Sequence, residues 1–292
     1  MMTLSHADLA RQAVAKAAEV RDRFDIPLNA AVNIFDLCGE RLDPKITVRF
    51  KDISMEGVYL REEREIWLGL RPLTRRVFNC AHELGHCLFG HGSTLDELQA
   101  EGAAERPFIP DEYLVNTFAA YLLMPRLAVG YAFTTRGWKA QMATPEQCFV
   151  VACSLGVGYE TLANHLTYSL QLVSGIASRD LLKTRLPTIR KGMLDIQAPE
   201  RLTVIDRHYT LPTLDTEVGT GLLLPDGTVA ENGNLTLAAD TPRGPLFHAV
   251  RPGLTRVYSA DRSWAMLVRI MRHQYVGLSR YRHLALEEGD DE

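Results

Sequence analysis

Two histidines four residues apart, with a glutamate directly after the first, stand in the pentapeptide His82-Glu83-Leu84-Gly85-His86. On a helix, residues at that spacing lie one above the other on a single face. Two imidazoles presented that way can grip one Zn²⁺, and the carboxylate between them can hold an attacking water. The flanks read as a helix. Thr74, Val77, Phe78, Ala81, Leu84, Gly85 and Leu88 set apolar or small residues at helical spacing. Pro72 stands near the start, where its missing N–H costs least, and Gly90 supplies a stop. Accidental copies of such a motif fall mostly on exposed, charged helices. This one is embedded in an apolar segment, where an unpaired Glu83 is costly to bury.

Two imidazoles do not complete a hydrolytic zinc site, which usually takes three protein ligands and keeps a fourth position for water. The next apolar segment, 111–125, follows Pro110, begins with two acids and is closed by Pro125. Glu112 and Asn116 share one face of it, and a carboxylate on a second helix facing two histidines makes a His₂Glu site. Either acid suits the positive end of a helix dipole; with Asp111 in that role, Glu112 is free to be the ligand. Tyr113 and Asn116 are candidate donors to a reacting carbonyl, and Asn116 equally a residue that orients a ligand or packs the helices. His91 follows His86 by five residues, not the six of a metzincin, and reads as a favourable charge at a helix C-terminus. Cys80 and Cys87, at about 100° per residue, point away from the metal face and read as small buried residues.

These motifs carry a resemblance. The block 46–125 resembles the ImmA/IrrE family of zinc metallopeptidases, which have a strand hairpin, an apolar helix with H-E-x-G-H and a helix of the form E-x-x-A-N-x-F-A-A-x-L-L-M-P. This chain has Glu112, Asn116, Phe118, Ala119, Ala120, Leu122, Leu123, Met124 and Pro125 in that order, with Val115 where the family has a small residue. The resemblance covers about the first 175 residues. It implies His82, His86 and Glu112 as zinc ligands and Glu83 as general base. It also implies a cytoplasmic endopeptidase that cuts a DNA-binding, helix-turn-helix repressor in response to stress. In such a site the zinc lowers the pKa of its water toward about 7 and polarises the scissile carbonyl. Glu83 takes the proton and passes it to the leaving amine.

The elements that must position these residues are legible around them. Residues 7–24 form an amphipathic helix and 30–39 a shorter one. Strands fall at 46–52, 57–60 and 65–70, the last two a hairpin across the charged turn 61–64. An edge strand there can pair with an extended substrate backbone. The polar, acidic stretch 91–108 is a candidate lid between the metal helices. Thr144-Pro145-Glu146 opens a helix that turns at Gly156-Val157-Gly158 into a second one, a helix-turn-helix pattern. Between 159 and 173 there is no Lys or Arg, so this unit is expected to pack against other helices and not to read DNA.

Beyond 178 the texture changes. The basic stretch 179–190, containing Pro187, reads as a linker. β-type runs follow at 202–205, 221–224, 234–238, 246–250 and 254–259, divided by Pro/Gly/Asn turn signals. Residues 264–284 read as a helix then a strand, or as a strand pair, and the tail from Glu287 as disordered. The expected fold is α+β: a mostly helical zinc-peptidase domain with a small sheet (1–143), a helix-turn-helix-like unit (144–178) and a β-rich domain (179–292), a candidate sensor. In that last domain Arg269, Arg272, His273, Arg280, Arg282 and His283 interleave with Tyr275 and Tyr281. Such interleaving can bind single-stranded nucleic acid, or form a solvated strand face.

Composition bounds the classes. The chain has 292 residues, about two domains' worth, and an apolar fraction of 46% can bury a substantial core. A net charge of −4 gives no global basic field for nucleic acid. No apolar run approaches the ~20 residues of a membrane span, and the charged stretch 1–20 lacks a signal-peptide core. Five scattered cysteines without framework spacing are expected to be reduced, as in the cytoplasm. The alternative is a regulatory binding protein whose zinc is structural and whose C-terminal domain senses a ligand or nucleic acid. Glu83 separates the two, because a structural site has no use for a general base.

Overall fold

Helices come first and strands close the chain in the computed structural model, which describes residues 5–92, 108–194 and 196–284. The candidate lid lies almost wholly outside these residues, as does the acidic tail. Helix α1 (His6–Arg23) starts from a capping box in which Ser5 and Asp8 satisfy each other's backbone N–H. Its buried stripe of Leu9, Ala13, Ala17 and Val20 recurs every three or four residues, the spacing of one helical face. A short helix α2 (Ile34–Asp36), continued by a single wide turn over Leu37–Arg41, replaces the longer helix expected at 30–39.

Strands β1 (Thr47–Lys51), β2 (Gly57–Leu60) and β3 (Glu65–Gly69) follow. β2 and β3 form the expected antiparallel hairpin, β1 runs parallel to β3, and β2 is an edge strand. Helix α3 (Leu73–Phe89) carries the two histidines and ends at Gly90, whose φ of 74° lets the chain reverse. Helix α4 (Pro110–Leu123) has Pro110 in its first turn, and Met124 and Pro125 lie beyond its end. The helices α5 (Arg126–Thr134), α6 (Pro145–Leu155) and α7 (Tyr159–Asn164) come next. The turn between α6 and α7 falls where the glycines predict it, with Gly156 at φ 71°. The expected linker at 179–190 is instead helical, as α8 (Gly175–Lys183) and α9 (Leu186–Met193). Leu181 and Ile189 are fully buried, which holds both helices on the body, and Pro187 sits in the first turn of α9, where it is tolerated.

The remaining strands are β4 (Leu202–Val204), β5 (Thr213–Glu217), β6 (Gly221–Leu223), β7 (Thr228–Ala230), β8 (Leu235–Thr241), β9 (Gly244–Ala249), β10 (Gly253–Ser259), β11 (Ala265–Met271) and β12 (Gly277–Leu278). They build two four-stranded sheets, β5-β11-β10-β7 and β4-β6-β9-β8, around Leu222, Leu224, Val257, Val268 and Ile270. No helix forms at 264–284: β11 is followed by a loop, the short β12 and a single turn. β12 returns to the first sheet, where Leu278 pairs with Arg49 of β1. The chain is α+β, and β12 ties the last described strand to the first sheet.

Two arginines of the basic-aromatic segment are turned inward. Arg282 is 1% exposed, and with Arg269 it brackets Asp36 and Asp215 at 2.7–3.1 Å. The interleaved charges are therefore not one solvated face: Arg269 and Arg282 form ion pairs between the C-terminal strands and the turn at α2. Among the described residues, no helix is long and apolar enough to cross a membrane.

Candidate metal centre

α3 lies across the hairpin with Cys80, Ala81 and Leu84 in the core, which leaves His82 and His86 facing α4. The helices come close because position 85 is glycine. A Cβ there would lie 3.0 Å from both Phe118 and Val115 of α4. Glu112, in the first turn of α4, then meets both rings: Oε2 lies 3.3 Å from His82 Nε2 and Oε1 lies 3.4 Å from His86 Nε2. The ligating atoms of His82, His86 and Glu112 all fall within 4.8 Å of one another.

The outer nitrogens are also held. His82 Nδ1 lies 3.0 Å from Asn116 Oδ1, so Nδ1 carries the proton and donates it. Nε2 is then left with its lone pair toward the centre. His86 Nδ1 lies 2.9 Å from His91 Nδ1, and His91 Nε2 lies 3.7 Å from Asp111 Oδ1. If His86 donates to His91, the His91 proton sits on Nε2 and faces Asp111. Burial, with the His82 ring beside it, pushes His86 down to about 4, so it is neutral at pH 7 and able to ligate.

This donor set fits a cation. The two Nε2 atoms face each other at 3.1 Å, and two lone pairs at that distance repel unless positive charge lies between them. Glu112 Oε2 is buried without a well-directed hydrogen-bond donor among the described residues. Two neutral imidazoles and a carboxylate are a zinc-type set.

Glu83 is fully buried beside β2. Gly57 of that strand makes the room, since a Cβ there would come 2.9 Å from Glu83 Oε1. A cavity of about 410 Å³ adjoins the centre and is lined by His82, Asn116, Glu56, Asn79, His165 and Tyr168, among others. His165 contacts the Met124 carbonyl through Nε2 at 2.9 Å, and burial pushes it down to about 4.

Residues 42–167 match the family model described as the IrrE N-terminal-like domain of the M78 peptidases. Over these residues the chain is similar to the ImmA/IrrE peptidase family. The family is one of zinc-dependent proteases, and the domain ends inside the turn that follows α7. A search of curated proteins gives no match to the chain.

Within the ImmA/IrrE domain, the sequence-predicted residues His82, His86 and Glu112 come together, with Glu83 on the same helix. Asp111 does not join them; it is the outer neighbour of His91. His91 is not merely a charge at a helix end, because the left-handed Gly90 swings it back onto His86. Asn116 is engaged with His82, in keeping with a residue that orients a ligand, while Tyr113 packs against Phe108 and His6. The cysteines stay away: Cys80 lies against Cys38, with sulfurs 4.0 Å apart. Gly57, Glu56 and His165 carried no signal in the sequence beyond ordinary strand, loop and helix positions.

Proposed function

We propose that this chain is a zinc-dependent endopeptidase that holds its metal with His82, His86 and Glu112 and uses Glu83 as general base. The single observation that carries the reading is the convergence of three ligand atoms from two helices within 4.8 Å, next to a buried Glu83. A zinc ion held there supplies Lewis acidity toward a peptide carbonyl and makes water acidic enough to attack at neutral pH. Asn116 and His91 fix the two rings in the tautomers that offer Nε2. Glu83 removes a proton from the attacking water and returns it to the departing amine, so the carboxylate is regenerated each cycle. The edge strand β2 borders Glu83 at Gly57, which supports pairing of an extended substrate along that edge. The 410 Å³ cavity beside His82 is then a pocket for a substrate side chain.

The substrate we infer from the family is a helix-turn-helix transcriptional repressor, cut in the cytoplasm under stress. Co-expression with a repressor encoded beside this gene, followed by mass spectrometry of the fragments, tests this. One discrete cut that disappears with Glu83→Gln is the expected result. A repressor that stays intact under every inducing condition contradicts the substrate, and cleavage undiminished by Glu83→Gln contradicts the mechanism.

A further inference from the structure

A larger cavity, about 610 Å³, lies away from the metal centre, where the helices of the ImmA/IrrE domain meet the C-terminal strands. One side is built by the first turns of α3, by 32–35 and by the α6–α7 turn; the other by 200–203, β5 and 273–274. Its volume is in the range of small-molecule sites, roughly 300–1,000 Å³. Much of the wall is apolar, with Ile34, Leu73, Val77, Phe149 and Leu186 contributing.

One end of the cavity is charged, and its charges do not cancel. Arg76 and Arg201 both pair with the single carboxylate of Glu217. The side chains of Arg76 and Glu217 are 1% and 5% exposed. His273 lies at the same end, its Nδ1 accepting from Arg201 Nη1 at 2.8 Å, and as a neutral ring it adds no negative charge there. The neighbouring Asp215 cannot supply the missing negative charge, because with Asp36 it already balances Arg269 and Arg282. Arg190 and Glu200, also on the lining, offset each other, and Arg71 shares Glu56 with Arg75. One positive charge is left over at the Arg76–Arg201 end. Arg76 Nε, moreover, is buried with no acceptor among the described residues. A buried guanidinium donor without an acceptor is costly, and an anionic oxygen satisfies it most strongly.

We infer that this cavity is a binding site for a small organic anion: one carboxylate, phosphate or sulfonate group held by Arg76 and Arg201, on an apolar body that lies against Leu73, Val77 and Phe149. The site does not depend on the peptidase reading, since no residue of the metal centre lines it. It does touch the same helix. Arg76 precedes His82 by six residues on α3, so a ligand here bridges the C-terminal strands and the element that carries both histidines.

The test uses the full chain and two dyes of one shape. One is 8-anilinonaphthalene-1-sulfonate; the other is its neutral counterpart, N-phenyl-1-naphthylamine. The sulfonate should bind at one saturable site per chain, about tenfold or more tighter than the neutral dye, the size of one charge-assisted hydrogen bond. Arg201→Gln, at a position one-third exposed, should remove most of that difference and leave the neutral dye unaffected. Leu186→Trp, which fills the apolar end, should abolish binding of both dyes; it keeps the test decisive if Arg201→Gln lowers stability. Equal affinity for the two dyes, several equivalent sites per chain, or sulfonate binding unchanged by both variants would overturn the inference.

Discussion

His91 shows what one residue outside the first ring of donors can do. Its contact with His86 Nδ1 at 2.9 Å, backed by Asp111 at 3.7 Å, fixes a ring that would otherwise rotate. Removing such an outer partner typically weakens a metal site by about 10–100-fold. His91→Ala should therefore lower zinc affinity by about that factor, measured by chelator competition, with the fold intact by circular dichroism. Glu112→Ala should cost more, because it deletes a ligand, and Asp111→Ala less, because that carboxyl is 67% exposed and acts only through His91. An Asp111→Ala loss as large as that of Glu112→Ala would contradict the assignment. That His82 and His86 share a face was legible because i, i+4 spacing on a helix fixes it, and Glu112 stood out as an acid opening the next apolar helix. His91 was not legible, because helical spacing ends at Gly90 and a left-handed turn can send the next side chain in several directions.

At the scale of elements, the site depends on how closely α3 and α4 approach and on where α4 ends. Gly85 sets the approach. Gly85→Ala should push the helices apart and reduce zinc affinity by about tenfold, since ligand positions a fraction of an ångström off already cost affinity. Gly85→Ala combined with Val115→Ala should largely restore it, because Val115 is one of the two groups the added Cβ meets at 3.0 Å. Failure of the pair to recover relative to Gly85→Ala would place the damage elsewhere. The end of α4 is held by Arg21 of α1, fully buried, which donates to the carbonyls of Leu122, Pro27 and Ala30. Arg21→Met leaves three carbonyls without this donor and should destabilise the chain by about 3 kcal/mol in urea unfolding. A loss under about 1 kcal/mol would mean that water replaces the guanidinium readily. Most elements could be read from periodicity and caps. The strand β5 could not: Thr213-Leu214-Asp215-Thr216-Glu217 looks like a polar loop until its acids are seen to meet buried arginines. The same hidden pairing made Arg269 and Arg282 look like surface residues.

For the whole molecule, β12 on β1 and the Asp36–Asp215–Arg269–Arg282 cluster tie the last strands to the first helices. A chain ended at residue 178 loses both, leaves β1 with an unpaired edge and strands Arg76 without Glu217. It should express as aggregating or unstable protein; a soluble, zinc-loaded fragment with the melting temperature of the full chain would refute this integration. The cluster also sets an acid limit. Burial pushes the Asp215 carboxyl up, but Arg282 and Arg269 outweigh it and hold it at about 2. Its folded value lies below the ordinary 3.8, so its stabilisation is complete above about pH 4 and is lost as pH falls through about 2. The amount is on the order of 2 kcal/mol. Asp215→Asn should lower stability at pH 7 and flatten the dependence between pH 4 and 2 in thermal unfolding. An unchanged slope would show that other carboxyls govern acid unfolding.

The claim on which the rest stands is that His82, His86 and Glu112 hold one zinc ion. X-ray absorption at the zinc edge, on the purified full chain and on the His82→Ala/His86→Ala double variant, tests it most directly. The expected result is about one zinc per chain, with two imidazole shells and light oxygen donors near 2.0–2.1 Å, no sulfur, and loss of the metal from the double variant. A sulfur shell near 2.3 Å, or zinc retained in full by the double variant, would contradict it.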